Sequence, residues 1–466
     1  MMKRVSVINP FDQSLVEEIS LDSRSDAFLK LDRAYQLFRN SSNWLTKEKR
    51  RDVLEKVKTI LESKRDQIID TAISEGGKPY KDTVIEFERG LNGIDVAISE
   101  LFHFKGEVVN MELNAASMHR HAYTIKEPRG VVLAISAFNH PFNLIIHQVI
   151  PCIVTGCPVL IKPTLKTPLT CKIVVDALYQ AGLDEGFCQY LPVDNDVAEA
   201  LVSDERVSFL SFIGSARVGW YLRTKLAPGA HCALEHGGLA PVILDHDVDW
   251  QEIMPKLLRS SFYHAGQVCV KTQRIYVPEP CAQDFVSQFK QRTLNLRVGN
   301  PKDPDTDVGP IISQSELSRI EEWVNESIAH GAKLICGGKR ILKTCYEPTI
   351  IFDPKLTDKI STEEIFGPVV AVYPYKKLSE AIELANDTKY FFQAAIFTKN
   401  IDHAFVAANK LYGRTVLIND HSAFRVDWMP FGGHRRSGLG VGGIGYAMKD
   451  LAIDKLLIFN FNPDAS

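Results

Sequence analysis

Val131-Val-Leu-Ala-Ile135 is a short unbroken apolar run, followed by the loop Ser136-Ala-Phe-Asn139-His-Pro-Phe-Asn-Leu144. Such a run reads as a strand buried on both faces. Val159-Leu-Ile161, Cys188-Gln-Tyr-Leu191 and Val207-Ser-Phe-Leu-Ser-Phe-Ile213 are further strand candidates. Helix-like segments separate them, from about Leu144 to Thr155, Pro168 to Ala181, Asp196 to Val202 and Ala216 to Leu226. This alternation predicts an α/β fold built on a parallel sheet with helices on both faces. Sheets of that kind bind ligands beyond the carboxyl ends of their strands. The residues to watch are therefore Asn139, then Lys162-Pro-Thr-Leu-Lys-Thr-Pro168, then Gly214-Ser-Ala-Arg-Val-Gly219 at the start of a helix. Free N–H groups at a helix start favour a phosphate, and Gly214 and Gly219 permit close backbone approach beside Ser215. The same glycine pair also suits a plain turn.

A second αβ series begins near Gln251 and runs to about Asp420, with strands at Arg274–Val277, Lys333–Cys336, Val369–Tyr373 and Ala394–Thr398. Ahead of the first of these lies Phe262-Tyr-His-Ala-Gly-Gln-Val-Cys-Val-Lys-Thr-Gln-Arg274, with Cys269 in a loop beside Gly266. A thiol near a positive helix end ionises more easily, and the thiolate is the nucleophile. A single cysteine is more commonly a small buried apolar residue. Upstream, the region from Ser25 to Ser63 reads as helix, with Val53, Leu54, Val57, Ile60 and Leu61 on one face. Another helix through Ile68, Ile69, Ala72 and Ile73 stops at Gly76-Gly77. These helices read as scaffold. His119–Lys126 is a loosely alternating strand, and Leu456–Phe461 is a terminal strand positioned to pair with it as an intersubunit arm.

The chain has 466 residues, 45% hydrophobic and 24% charged, with a net charge of -3. Its length predicts two or three domains. The charge argues against a nucleic-acid binder. There is no stretch apolar and long enough to span a bilayer, and Met1–Pro10 lacks a signal-peptide core. Nine scattered cysteines without a CxxC pair fit a reduced, cytoplasmic protein and argue against a compact zinc site.

Seven motifs then occur in one order: Phe138-Asn139-His-Pro141; Lys162-Pro163 with Thr167-Pro168; Phe212-Ile-Gly214-Ser215; Leu234-Glu235-His-Gly237-Gly238; Gly266-Gln-Val-Cys269; Glu363-Glu364-Ile-Phe366-Gly367-Pro368; and Pro430-Phe431-Gly432-Gly433 with Ser437-Gly438. Together they resemble the aldehyde dehydrogenase superfamily over almost the whole chain, and the tail Trp428–Gly443 looks closer to its lactaldehyde, sulfolactaldehyde and phosphonoacetaldehyde branch than to the branch acting on long aliphatic aldehydes. The resemblance implies a Rossmann-like cofactor domain (1–109 and 129–236), an α/β catalytic domain (237–450) and a small β oligomerisation arm (110–128 and 451–466). It implies NAD(P)-dependent oxidation of a small aldehyde to the acid, in a homodimer or homotetramer. Cys269 would attack the carbonyl, Asn139 would donate to the oxyanion, and Glu235 would activate the hydrolytic water. Lys162, Gly214, Ser215, Gly219, Glu364 and Phe366 would hold NAD or NADP, with no metal. Relatives that pass the acyl group to coenzyme A usually lack the glutamate found here as Glu235, which separates that alternative, and a non-catalytic structural relative has no use for the trio.

The chain departs from the pattern in places. Leu165 stands where NAD-preferring relatives carry a glutamate, and Lys166 follows it, so NADP should be accepted. His236 and Leu239 replace common residues and read as packing. His147, two helical turns beyond Asn139, and Arg425, in His421-Ser-Ala-Phe-Arg-Val-Asp-Trp428, read as a cationic pair suited to an anionic aldehyde: a semialdehyde, or a sulfonated or phosphorylated one.

Overall fold

The computed structural model describes residues 3–462. The first sheet has six strands in the order Gly438–Leu439, His231–Glu235, Val207–Ile213, Val131–Ile135, Val159–Lys162, Cys188–Tyr190. All pairs are parallel except the edge strand Gly438–Leu439, which runs antiparallel to His231–Glu235. Val131–Ile135 lies inside it, paired on both sides and buried at every position. Its period of two assigns the faces. Val132 and Ala134 pack into one cluster with Val53, Leu61, Ile69, Ile94 and Ile146. Val131, Leu133 and Ile135 pack into another with Leu31, Leu201 and Leu210. Two helical layers thus cover the strand, as its unbroken apolar sequence demands.

Those layers include α1 (Arg24–Arg39), α2 (Lys47–Ser63), α3 (Arg65–Gly76), α4 (Tyr80–His103) and α5 (Asn143–Thr155). The helical region expected from Ser25 to Ser63 is two helices. Asn40 ends α1, accepts from Ser42 N–H and starts a short turn, and Thr46 then caps α2. Gly77 at φ +70 closes α3 in the left-handed conformation that glycine tolerates. The 24-residue α4 has no counterpart in the sequence reading, and it packs on α5: the Phe87 and Phe142 rings stack at 5.2 Å, and Gly90 lies directly against Phe142.

The second sheet has seven strands in the order Lys333–Cys336, Thr349–Phe352, Val369–Tyr375, Arg274–Pro278, Pro241–Leu244, Gln393–Phe397, Thr415–Ile418, with only Lys333–Cys336 antiparallel. This series starts at Pro241, ten residues before the expected start. Pro241–Leu244 is four residues long and was not recognised as a strand. A third sheet joins Ala452–Asn460, Arg120–Pro128 and Val108–Val109. The anticipated pairing of the tail with the 119–126 segment is present, antiparallel over nine residues from Ala452↔Pro128 to Asn460↔Arg120. Val108, Leu456, Ile458 and Phe459 are exposed on this arm. Residues 1–2 and 463–466 of the expected domain ranges lie outside the described residues. No described helix is long and apolar enough to cross a membrane.

Candidate active site

A crevice of about 1460 Å³ separates the first two sheets and is lined from both. Asn139, Lys162, Gly214, Ser215 and Glu235 reach it from the first sheet, and Cys269, Glu364, Phe366 and Arg425 from the second half. Cys269 Sγ lies 3.9 Å from Glu235 Oε1, with the thiol donating. Asn139 Nδ2 donates to the Gln267 carbonyl at 3.0 Å, two residues before Cys269. Gln267 is itself pinned: its amide donates to Pro310 O, and its Oε1 accepts from Ile312 N–H. The cysteine loop is therefore tied both to the asparagine and to its own half.

The expected helix-end activation of Cys269 is not what the fold provides. Helix Trp250–Phe262 ends before Tyr263–Gly266, so the loop leaves its carboxyl, electronegative end. Burial pushes the thiol well above its ordinary value of 9.0, and Glu235 adds to this, while Arg425 opposes it. Burial also raises the Glu235 carboxyl above 4.5, against the pull of Arg425 and of the Cys269 hydrogen bond. The raised carboxyl is the stronger base once ionised, and it lies in hydrogen-bond reach of a thiol that burial holds protonated.

The cofactor side fits a dinucleotide by its unused donors and acceptors. Lys162 is almost buried, and burial lowers its ammonium to about 8. Its Nζ has no hydrogen-bond partner among the described residues. The Ala216 and Arg217 N–H groups open helix Ala216–Arg223 with no side-chain cap from Ser215. Gly214 N–H is committed to the Glu235 carbonyl at 3.0 Å, which fixes the ends of two neighbouring strands. Glu364 Oε1 is buried and unpartnered, and Gly237 lies against this carboxylate so closely that a Cβ would collide with it. Burial raises Glu364 to about 8. The Phe366 ring meets Phe138 edge-on at 5.8 Å. Gly219 is not at the crevice. It gives way to His236, whose ring sits between Phe212 and Trp220 and hydrogen-bonds Gly214 O through Nδ1 at 3.0 Å. His236 thus packs between these rings at the edge of the crevice.

The substrate side corrects one expectation. His147 is buried, and burial with the nearby Arg425 lowers it to about 4, so it is neutral and no cationic pair exists. Its Nε2–H donates to Asp427 Oδ1 at 2.8 Å, leaving Nδ1 to accept from Arg425 Nη2 at 3.5 Å. It lines a smaller cavity that shares Glu235, Arg425 and Phe431 with the main crevice, and it is not among the residues of the crevice wall. The second cation is Arg89 of α4, a crevice residue bound to Asp427 through Nε at 3.1 Å and Nη2 at 2.7 Å. Arg425 stacks on Phe431, with its guanidinium carbon 3.6 Å from the ring centre. Arg89 and Asp427 were not singled out in the sequence. Asp427 stands two residues from Arg425 in a stretch already marked, whereas Arg89 sits mid-helix with no local signal.

Among known proteins, the model described as the aldehyde dehydrogenase family matches residues 1–456. A 3-sulfolactaldehyde dehydrogenase of Priestia megaterium is 34% identical over 459 residues, 98% of this chain and 95% of the relative. Aldehyde dehydrogenase 21 from Physcomitrella patens, solved with the reaction product succinate, superposes with a TM-score of 0.96 at 34% identity, covering 100% of this chain and 96% of that one. Glyceraldehyde-3-phosphate dehydrogenase GapN from Methanocaldococcus jannaschii, complexed with NADP, gives a TM-score of 0.93 at 34% identity, covering 99% and 100%.

Proposed function

Since the chain belongs to the aldehyde dehydrogenase family and is an NAD(P)-dependent oxidoreductase, we propose that it oxidises a small anionic aldehyde to the acid through a thioester on Cys269. The observation that carries this reading is the 3.9 Å approach of the Cys269 thiol to Glu235 in a crevice that also holds Asn139, Arg89 and Arg425. Glu235 takes the thiol proton, and Sγ adds to the aldehyde carbon to give a thiohemiacetal. The second N–H of the Asn139 amide, with the Cys269 backbone N–H, stabilises the oxyanion. Bound NAD(P) supplies the hydride acceptor. Loss of hydride from the tetrahedral carbon would leave the thioester, and Glu235, once it has passed the thiol proton to solvent, deprotonates the water that releases the acid. Lys162, Ser215, the Ala216 and Arg217 amides, and Glu364 with Phe366 would hold the dinucleotide. Leu165 and Lys166 line the crevice beside Lys162. With leucine rather than a carboxylate at position 165 to face a 2′-phosphate, NADP is a substrate alongside NAD.

Arg89 and Arg425 favour an anionic group on the aldehyde. Both are cations at the crevice: Arg89 is ion-paired with Asp427, while Arg425 feels Glu235 and Asp427 without forming an ion pair among the described residues. The named relatives act on aldehydes that include a sulfonate, and one is solved with succinate. The apolar exposed arm supports a homo-oligomer. The test is nucleotide reduction followed by absorbance, with succinic semialdehyde and propanal as substrates. Arg425→Ala should raise KM for the semialdehyde about tenfold or more and that for propanal much less. Equal changes would sink the anionic reading and leave the chemistry standing.

A further inference from the structure

The first turn of α5 is held by a buried ion pair that the chemistry above does not use. Glu86 Oε1 accepts from Phe142 N–H at 2.9 Å and Asn143 N–H at 3.0 Å, satisfying the free amides at the helix start. Its Oε2 accepts from Lys78 Nζ at 2.8 Å, and both side chains are 1% exposed. Lys78 Nζ also lies 2.5 Å from His140 Nδ1. Burial opposes the Lys78 charge, yet Glu86, with Tyr263 and Asp82, holds its proton above the ordinary lysine range. An ammonium has donors only. His140 Nδ1 must therefore accept, and the neutral ring carries its proton on Nε2. Protonation of the ring is opposed by burial first, then by Lys78, His264, Arg89 and Arg425, with Glu86 Oε2 3.9 Å from Nδ1 and the Tyr263 ring alongside. His140 lines the crevice, and its Nε2 has no partner among the described residues.

Asn143 presents the complementary case. Its Nδ2 donates to Asp427 Oδ1 at 3.4 Å, which orients the amide. Its Oδ1 is unpartnered, and the residue lines the same crevice. One donor and one acceptor, three residues apart at the start of one helix, are thus left over beside Asn139. A carboxylate or phosphate can use only the donor. A hydroxyl uses both.

Building on the reading of Cys269 as the site of aldehyde oxidation, we propose that His140 and Asn143 form a hydroxyl subsite, selecting aldehydes with an alcohol group near the carbonyl, and that Lys78 and Glu86 are positioning residues for it. Lys78 sets the His140 tautomer, and Glu86 fixes both Lys78 and the helix turn that carries Asn143.

Lactaldehyde and propanal differ by one hydroxyl and carry no charge, so their ratio isolates this subsite from the arginines. In His140→Asn, whose amide reaches only the Nδ1 position, kcat/KM for lactaldehyde should fall about tenfold or more and that for propanal less than about twofold. His140→Gln, whose amide nitrogen reaches the Nε2 position, should restore most of the loss. Lys78→Met combined with Glu86→Gln removes both charges together, so no lone buried charge remains. That variant should show the same lactaldehyde-selective loss, and adding His140→Asn to it should cost little more. Equal losses for the two aldehydes, or equal losses in the Asn and Gln variants, would overturn the subsite. Failure of the unaltered protein to reduce nucleotide with either aldehyde would instead overturn the underlying reaction. The Asn and Gln comparison decides the matter alone if the doubly altered chain does not fold.

Discussion

The two large sheets meet the crevice from opposite strand ends. In the first, site residues sit at or just beyond carboxyl ends: Asn139 after Ile135, Lys162 at the end of its strand, Ser215 after Ile213, Glu235 at the end of His231–Glu235. In the second, the cysteine and the cofactor residues precede the strands, Cys269 before Arg274 and Glu364 and Phe366 before Val369, and only Arg425 follows one, Thr415–Ile418. The carboxyl ends of the second sheet border a separate cleft near Asp249, Lys256 and Asn400. Carboxyl ends bring helix amino termini and their N–H groups, which suit a phosphate. The amino ends bring the carboxyl terminus of a helix to Cys269, which gives a thiolate no help. One half is thus built for binding an anion. The other must draw its nucleophile's ionisation from Glu235, across the crevice.

The sharpest way to break this division is to remove the sulfur. Cys269→Ala should lower kcat/KM by at least about a thousandfold while cofactor binding, followed by quenching of protein fluorescence, stays within about twofold because its residues lie elsewhere. Residual turnover within tenfold of the unaltered protein would place the nucleophile elsewhere. Next in size is Asn139→Ala, where one oxyanion donor is lost and kcat should drop about 100- to 1000-fold. Because Asn139 also ties to Gln267 O at 3.0 Å, steady-state rates should be read beside the rate of Cys269 alkylation by iodoacetamide. A loss confined to kcat assigns the amide to the oxyanion, and slowed alkylation assigns it to holding the loop.

The same asymmetry explains what the sequence let through. The strand Val131–Ile135 is apolar at all five positions because helices cover both its faces, so its runs and the loops after them were legible. Glu364 and the crevice's far wall follow no strand-end rule and emerge only from the ordered motifs, which also separate Cys269, a loop thiol, from an ordinary buried cysteine. Arg89 escaped altogether. Its meaning comes from Asp427, 338 residues away in sequence, and a mid-helix arginine looks the same whether it meets a carboxylate or water. His147 was placed in the right neighbourhood with the wrong charge, since burial lowering it to about 4 depends on packing that no local pattern records. The tight turn at Asn40 and the short strand Pro241–Leu244 were lost to the opposite problem, being too brief to show a period.

Glu364 is the point where the second half would serve the cofactor, and its effect should be smaller. Burial holds its carboxyl near 8, so at neutral pH Glu364 carries a proton before the cofactor binds. If ribose hydroxyls donate to its ionised form, cofactor affinity rises as pH climbs toward 8, and binding below that pH releases a proton. Titrations from pH 6 to 9 should show this slope. Glu364→Gln, which cannot ionise, should flatten it and weaken binding about tenfold. A slope that survives the substitution would assign the proton to another group, with Lys162, also near 8, the next to test.

The smallest effect belongs to Lys166, on the rim of the first half. The side chain is exposed and, among the described residues, takes no part in an ion pair. A contact from it to the 2′-phosphate of NADP would be screened by water, so Lys166→Ala should lower kcat/KM with NADP only about three- to fivefold and leave NAD unchanged. The difference should shrink as salt approaches 1 M, where the Debye length is about 3 Å. A loss that persists at high salt would mean that Lys166 is desolvated by the bound nucleotide. An equal loss with NAD would instead place it on the pyrophosphate, and the absence of a carboxylate at Leu165 would then be the sole reason that NADP is admitted.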